Sequence, residues 1–321
     1  MISLMPGPVE IADPIRVAFA RPPISHRCVE FVRSFENVRD QLSVLTGAPL
    51  VALFQGTGTL ANDVIASSLE GPGLVLVNGE FGRRLAVQTR AWSLPVRVLE
   101  WPWGTAWNLD EVEQSLDGIE WIWGVHLETS TGLLNDFSAL RDLAGRRGVR
   151  LCLDCVSSLG AAPLDLTGVW LASGSSGKAL GAYAGVSMVF AQQMPAEREV
   201  PEYLDLCAAL AAEGPRFTFS SPLLMALEAA LDIQHDYVPL GCLVRRRLRE
   251  WGVAPMAGEI HAAPTVTTFA PPVENFFERC WSLGYQIGGE SSYLTPRGLT
   301  QVATMGAVDT HHIEDLFRRL A

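Results

Sequence analysis

At 321 residues with a formal net charge of −11, and with 24 basic residues that form no long run, the chain is poorly suited to nucleic acid as a partner. No apolar stretch reaches the roughly 18 residues of a membrane span, and the opening MISLMPGPVE has neither a basic region nor an apolar signal core; a soluble, cytoplasmic protein with no membrane partner is expected. The 48% hydrophobic content supports one large domain with a smaller one appended, and among six scattered cysteines the one close pair, Cys152 and Cys155, reads as buried free thiols rather than a metal or redox site.

The segment from residue 1 to about residue 22 carries Pro6, Pro8, Pro14 and Pro22, with Pro23 at its edge, a spacing that predicts an extended arm rather than one continuous helix. From Val29 to Leu45 the residues Phe31, Val32, Phe35, Val38, Leu42 and Leu45 recur at helical spacing. Next, QGTGTLANDVIASSLEG (Gln55–Gly71) reads as a glycine-rich turn opening a helix. Thr57, Gly58 and Thr59 would set two hydroxyls and several N–H groups at that helix's N-terminus, a place for a phosphate or simply an ordinary cap.

Short apolar runs follow at Leu74–Asn78, Pro95–Trp101, Ile119–Leu127, Val149–Asp154 and Gly185–Ala191, with helical patterns between them, such as GEFGRR onward and Phe137–Gly148. This alternation predicts an α/β domain on a mainly parallel sheet, whose site lies in the loops after the strands. Asp154 closes one such run in LCLDCVSSLG; it needs a partner, which could be a protonated pyridine nitrogen or, as a helix cap, the segment of Ser157 and Ser158.

LASGSSGKALG (Leu171–Gly181) holds Lys178, the one lysine of the chain against 23 arginines. A surface needing only positive charge uses arginine here, so a lone lysine points to chemistry that guanidinium cannot do: Schiff-base condensation with an aldehyde such as pyridoxal phosphate. Ser173, Gly174, Ser175, Ser176 and Gly177 are small and would let a phosphate approach the backbone. The plainer alternative is an exposed lysine on a Gly/Ser loop.

Further on, Pro222 to about Leu248 predicts a helix broken at Pro239-Leu240-Gly241, with RRRLR (Arg245–Arg249) as a solvated face. A strand at Thr265–Phe269, a helix at Val273–Leu283, strands near Tyr285 and Gln301–Ala303 and a last helix from Thr310 complete a compact end section. The expected division is an arm (1–22), a large domain (23–237) and a small C-terminal domain (238–321).

Taken together, MPGPVEI, SHRCVEF, QGTGTLAND, VNGEFGRR, HLETSTG, LDCVSSLG and ASGSSGKALG, in this order and spacing, resemble the class V aminotransferases. These are fold-type-I pyridoxal-phosphate enzymes with a large, mainly parallel α/β domain and a small C-terminal one. The resemblance implies that Lys178 forms the Schiff base and shuttles a proton, and that Asp154 keeps the ring nitrogen protonated. It implies Phe81 stacked on the ring, Val156 on the opposite face and Thr129 bonded to the phenolic oxygen. Thr57, Gly58 and Thr59, with Ser175 or Ser176, would hold the phosphate. It also implies a homodimer with shared sites, in which Thr218 or Ser220 of RFTFSS reaches the neighbour's phosphate.

Two positions depart from the pattern. Gly177 stands before the lysine where relatives carry a polar residue, and Gln301 stands where they carry the arginine that clamps the substrate carboxylate. Three explanations are open: another arginine, Arg27 or Arg297, supplies the clamp; the substrate lacks an α-carboxylate at that spot; or ordinary transamination has been lost while the cofactor is retained. The expected activity is transfer of an amino group from a small donor to a 2-oxo acid or aldehyde in a ping-pong cycle. A pyridoxal-phosphate lyase, desulfurase-like or β-eliminating, is the alternative, and a non-catalytic binding module a more remote one.

Overall fold

The computed structural model describes residues 1–320. The chain opens with β1 (Ile2–Leu4), α1 (Asp13–Phe19) and α2 (Val29–Thr46), then alternates through β2 (Leu50–Gly56), α3 (Gly58–Ser68), β3 (Gly73–Val77), α4 (Glu80–Ala91) and β4 (Val96–Glu100). It continues with α5 (Leu109–Gln114), β5 (Trp121–Val125), the short pair β6 (Leu127–Glu128) and β7 (Leu133–Leu134), α6 (Phe137–Arg147), β8 (Arg150–Asp154), β9 (Leu171–Ser175) and β10 (Gly185–Ala191). After α7 (Leu206–Ala211), α8 (Ser221–Leu231) and α9 (Val238–Glu250) come β11 (Val266–Phe269), α10 (Phe276–Ser282), β12 (Tyr285–Ile287), β13 (Thr300–Ala303) and α11 (Thr310–Leu320).

Seven strands form the central sheet in the order β2-β10-β9-β8-β5-β3-β4. β4, β3, β5, β8 and β9 are parallel to one another, and β10 runs antiparallel to both β9 and β2. Helices cover both faces, which is why β3 and β5 are buried along their whole length and read as unbroken apolar runs. One cluster packs Phe31, Phe35, Val38 and Leu42 of α2 against one face; the other packs Val64 and Ile65 of α3 with Trp121 and Trp123.

A separate cluster gathers Phe269, Phe276, Ile287, Val302, Ile313 and Phe317 with Leu4 from the opposite end of the chain. β1 pairs in parallel with β12, so the first residues are woven into the last section. Among the described residues, no helix is long and apolar enough to cross a membrane.

Several expectations need correction. The prolines of residues 1–22 do not keep the arm extended: Pro14 sits in the first turn of α1, where a missing N–H costs nothing, and Ile15 and Ala18 are buried. Pro239 likewise opens α9 instead of breaking a helix, and the break falls earlier, between Leu231 and Val238. Arg245 is not a solvated residue: it is buried, with Nε on Glu259 and Nη1 on the carbonyl of Ala263. The segment Leu171–Ser175, for which a Gly/Ser loop was the plainer alternative, is the interior strand β9 between β10 and β8.

Candidate active site

The parallel strands end together. Asp154 is the last residue of β8 and stands in register with Ser173 of β9, while Ser175 ends β9 and Lys178 lies three residues beyond. Thr57 and Gly58 follow β2 at the start of α3, and Phe81 lies in the first turn of α4 after β3. These ends enclose a cavity of ≈ 370 Å³ lined by Thr57, Gly58, Thr59, Phe81, Asp154, Val156, Ser175 and Lys178.

Lys178 donates from Nζ to the carbonyl of Pro6 at 2.6 Å. Burial lowers its pKa to about 8, opposed by the carboxylate of Asp154 and reinforced by the nearby charge of Arg84. Asp154 Oδ2 accepts from Asn62 Nδ2 at 2.8 Å and Oδ1 from the Val156 amide at 2.9 Å. Burial pushes its pKa up, and the Val156 N–H, the Asn62 amide and Lys178 hold it down. A partly enclosed amine thus faces a buried carboxylate whose negative charge is already supported by two donors.

The cavity walls are specific. An added Cβ at Gly58 would stand 2.5 Å from Val156 Cγ2, so glycine is what lets α3 begin against that side chain. An added Cβ at Gly177 would meet the Cα of Ala184 at 2.7 Å, and only a glycine before the lysine permits that backbone approach.

Comparison with known proteins matches the same arrangement. The profile described as "Aminotransferase class-V" covers residues 18–202, more than half of the chain. The chain belongs to the class-V aminotransferases. It is 31% identical over 287 residues to the 2-aminoethylphosphonate–pyruvate transaminase of Pseudomonas putida strain KT2440, covering 78% of this chain and 75% of that protein. It is 29% identical over 238 residues to an uncharacterized aminotransferase of Helicobacter pylori strain 26695, covering 71% of this chain and 64% of that one. The chain therefore spans just under two thirds of the Helicobacter relative. The structure superimposes on the subgroup IV aspartate aminotransferase of Thermus thermophilus with a TM-score of 0.92 and 26% identity, covering all of this chain and 98% of the other.

Class-V aminotransferases work with pyridoxal phosphate, and the cavity fits that group. It offers a primary amine, a buried acid, an aromatic wall at Phe81 and an aliphatic wall at Val156. A helix N-terminus with the hydroxyls of Thr57 and Thr59 completes it.

Other residues expected in this class-V site lie elsewhere. Of Ser175 and Ser176, only Ser175 lines the cavity; Ser176 Oγ donates to the carbonyl of Tyr183 at 2.7 Å and accepts from the Val186 amide. Thr129 is buried behind the wall, its hydroxyl bonded to Ser157 Oγ at 2.6 Å. Thr218 lines a different groove with Phe217, and Ser220 caps α8 while its amide donates to Gln55 Oε1. Arg27 is exposed in the loop before α2, its Nε turned to His26, and it does not line the cavity. Arg297 is also exposed and outside the cavity, with its Cζ 3.8 Å from the ring centroid of Trp103.

Gln301 does not face the cavity. It is fully buried in β13, and its Nε2 donates to the carbonyl of Thr129 at 2.5 Å and to Thr268 Oγ1 at 2.8 Å. A neutral amide bridges β13, β11 and the Thr129 loop through one carbonyl and one hydroxyl acceptor, neither of which could balance a buried charge.

Among the residues at the cleft that were given no role from the sequence are Pro6, Gly7, Asn62 and Arg84. Asn62 and Arg84 carried a signal, since each lies three residues beyond a candidate on one helix, Thr59 and Phe81, and so shares its face. Pro6 and Gly7 stand in the MPGPVEI motif, but their place over Lys178 is set by the pairing of β1 with β12 and carries no local signal.

Proposed function

We propose that this chain is a pyridoxal-phosphate-dependent aminotransferase that moves an amino group from a small donor to a 2-oxo acid or aldehyde in a ping-pong cycle. The observation that carries this reading is the single lysine, with its amine weakened to about pKa 8, sharing one cleft with the doubly supported carboxylate of Asp154. Pyridoxal phosphate, when bound, supplies an aldehyde for the amine and a ring that takes up electrons from the substrate α-carbon.

The protein residues divide the remaining work. Lys178 would condense through Nζ with the cofactor's aldehyde, and the same Nζ would hold and move a proton. Asp154 would hold the ring nitrogen's end of the cofactor, with its two oxygens fixed by Asn62 and the Val156 amide. Phe81 and Val156 exclude water from the ring faces, and Thr57, Gly58, Thr59 and Ser175 take the phosphate at the α3 N-terminus. Thr129 reaches the phenolic oxygen only if it exchanges its bond to Ser157.

Thr218 and Ser220 lie outside the cleft of their own chain, which suits a homodimer in which they serve the neighbour's phosphate. We retain the division into residues 23–237 and 238–321, with the N-terminal strand joined to the second unit through β12. All six cysteines are unpaired, in keeping with a reducing, cytoplasmic setting. No cysteine lines the cleft among the described residues, so the desulfurase-like alternative lacks its sulfur acceptor there.

The test is a visible spectrum of the purified protein titrated with pyridoxal phosphate, before and after a panel of amino donors, with Lys178→Ala in parallel. A Schiff-base band that one donor discharges, and that Lys178→Ala never forms, is the expected result. The same band in both proteins would refute the role of Lys178.

A further inference from the structure

A transaminase that accepts a 2-oxo acid needs a cation for the acid group, and β13 supplies none, since Gln301 is committed to Thr129 and Thr268. We infer that Arg84 of α4 is the residue that binds the substrate's carboxylate, so that recognition comes from the helix bearing Phe81 rather than from β13. The inference rests on the transaminase reading above.

Besides Lys178, Arg84 is the one basic residue lining the cleft among the described residues. Its guanidinium uses Nε on Glu80 Oε1 at 3.1 Å, and neither Nη1 nor Nη2 bonds to any described residue. That leaves a two-nitrogen edge free, the geometry that takes a carboxylate bidentately. The side chain is also held in place: Cζ lies 5.0 Å from the Phe81 ring centroid and 6.0 Å from that of Tyr293. Phe81 and Tyr293 meet edge-on at 6.0 Å, so the guanidinium rests on a preformed aromatic corner.

The competing arginines are occupied or turned away. Arg83 pairs with Glu100, Arg297 stacks on Trp103 and donates Nη1 to the Tyr293 carbonyl, and Arg27 faces His26. A residue three positions after the aromatic wall and next to the condensing lysine can reach a small acid bound between them. The substrate class that follows is a small α-amino or 2-oxo acid, not an amine lacking an acid group.

The test uses the pyridoxal-loaded protein and the variants Arg84→Gln, Arg84→Lys and Arg297→Gln. Equilibrium binding of pyruvate to the pyridoxal form, with which it cannot react, is measured by calorimetry; KM and kcat are measured in the half-reaction of the pyridoxamine-loaded protein with pyruvate and with acetaldehyde, where no donor enters; and pyridoxal phosphate affinity is measured by spectral titration. Loss of a bidentate charged contact predicts that Arg84→Gln weakens pyruvate binding and raises its KM by roughly 10- to 100-fold. The half-reaction with acetaldehyde, which has no acid group, should lose far less than that with pyruvate, cofactor affinity should change less than pyruvate binding, and Arg84→Lys should recover only part of the loss.

Unchanged pyruvate binding in Arg84→Gln, or an equal loss in Arg297→Gln, would overturn the inference. So would a loss that follows cofactor affinity, which would assign Arg84 to the phosphate. A wild type that binds pyruvate through Arg84 but transaminates nothing would instead refute the reading of the activity and leave this assignment standing. A loaded wild type that binds no pyruvate at all overturns it.

Discussion

Lys178 is set apart by its surroundings as well as by its rarity. Its folded-state pKa of about 8 lies below the ordinary 10.5 because the amine is partly enclosed, so the reactive neutral form grows as pH rises through 8. The initial rate of pyridoxal phosphate capture by the apoprotein should therefore rise with a midpoint near 8; a midpoint near the ordinary lysine value would contradict the burial argument. The same shift has a stability sign. Protonated Lys178 is disfavoured in the folded state, so below pH 8 the apoprotein carries the full cost, and that cost disappears as pH rises from 8 toward 10.5. Thermal melts of the apoprotein against Lys178→Met should show the wild type gaining over that window. Asn62 is the second residue whose contribution can be isolated: its bond to Asp154 Oδ2 is buried and charge-assisted. Losing such a bond costs about 1.5–3 kcal/mol, and Asn62→Ala is expected to weaken pyridoxal phosphate binding by roughly tenfold or more in a spectral titration.

At the scale of elements, the site depends on small residues that let backbones approach. β9 is central in the sheet yet reads LASGS, because an added Cβ at Gly174 would lie 2.7 Å from Leu159 Cδ2 and 2.9 Å from Phe190 Cε2. That need for small side chains removes the β-branched signal by which strands are recognised, and the segment reads as a loop. Gly177 and Gly58 follow the same logic on the cleft wall. Gly177→Ala would force Cβ against the backbone of Ala184, where nothing flexible can yield. Overpacking of this kind costs about 1–3 kcal/mol, so the variant should melt several degrees lower and lose activity together. An added Cβ at Gly58 meets the Val156 side chain, so Gly58→Ala combined with Val156→Ala should regain, in thermal melts, part of the stability that Gly58→Ala alone loses. The helices were legible because their apolar stripes repeat; their ends were less so, as Pro14 and Pro239 show by opening helices they were expected to prevent or break.

Over the whole molecule, the N-terminal arm is pinned to the C-terminal section on either side of its contact with the lysine. β1 pairs with β12, Glu10 accepts from the Ala307 amide, and between them Pro6 accepts from Lys178 while an added Cβ at Gly7 would come within 3.1 Å of Nζ. Gly7 also has φ of +153°, a conformation that a side chain strains. Gly7→Val is therefore expected to crowd the amine and lower kcat by about tenfold while leaving the fold of the central sheet intact. Equal kcat in the variant and the wild type would show that the arm does not constrain the lysine.

The residue pattern by itself determined the α/β class, the run of parallel strands and the candidates Lys178, Asp154 and Thr57–Thr59, while Phe81 and Val156 entered through the family resemblance; all of these residues line one cleft. It could do so because buried parallel strands must be apolar along their length and because reactive side chains collect where those strands stop. Only the tertiary structure decided that Gln301 is a buried bridge, that Ser176 faces inward, that Arg27 and Arg297 stand outside the cleft, and that Asn62, Arg84 and Pro6 belong to it. Those outcomes depend on which of many distant groups a side chain meets, and local periodicity carries no record of that pairing.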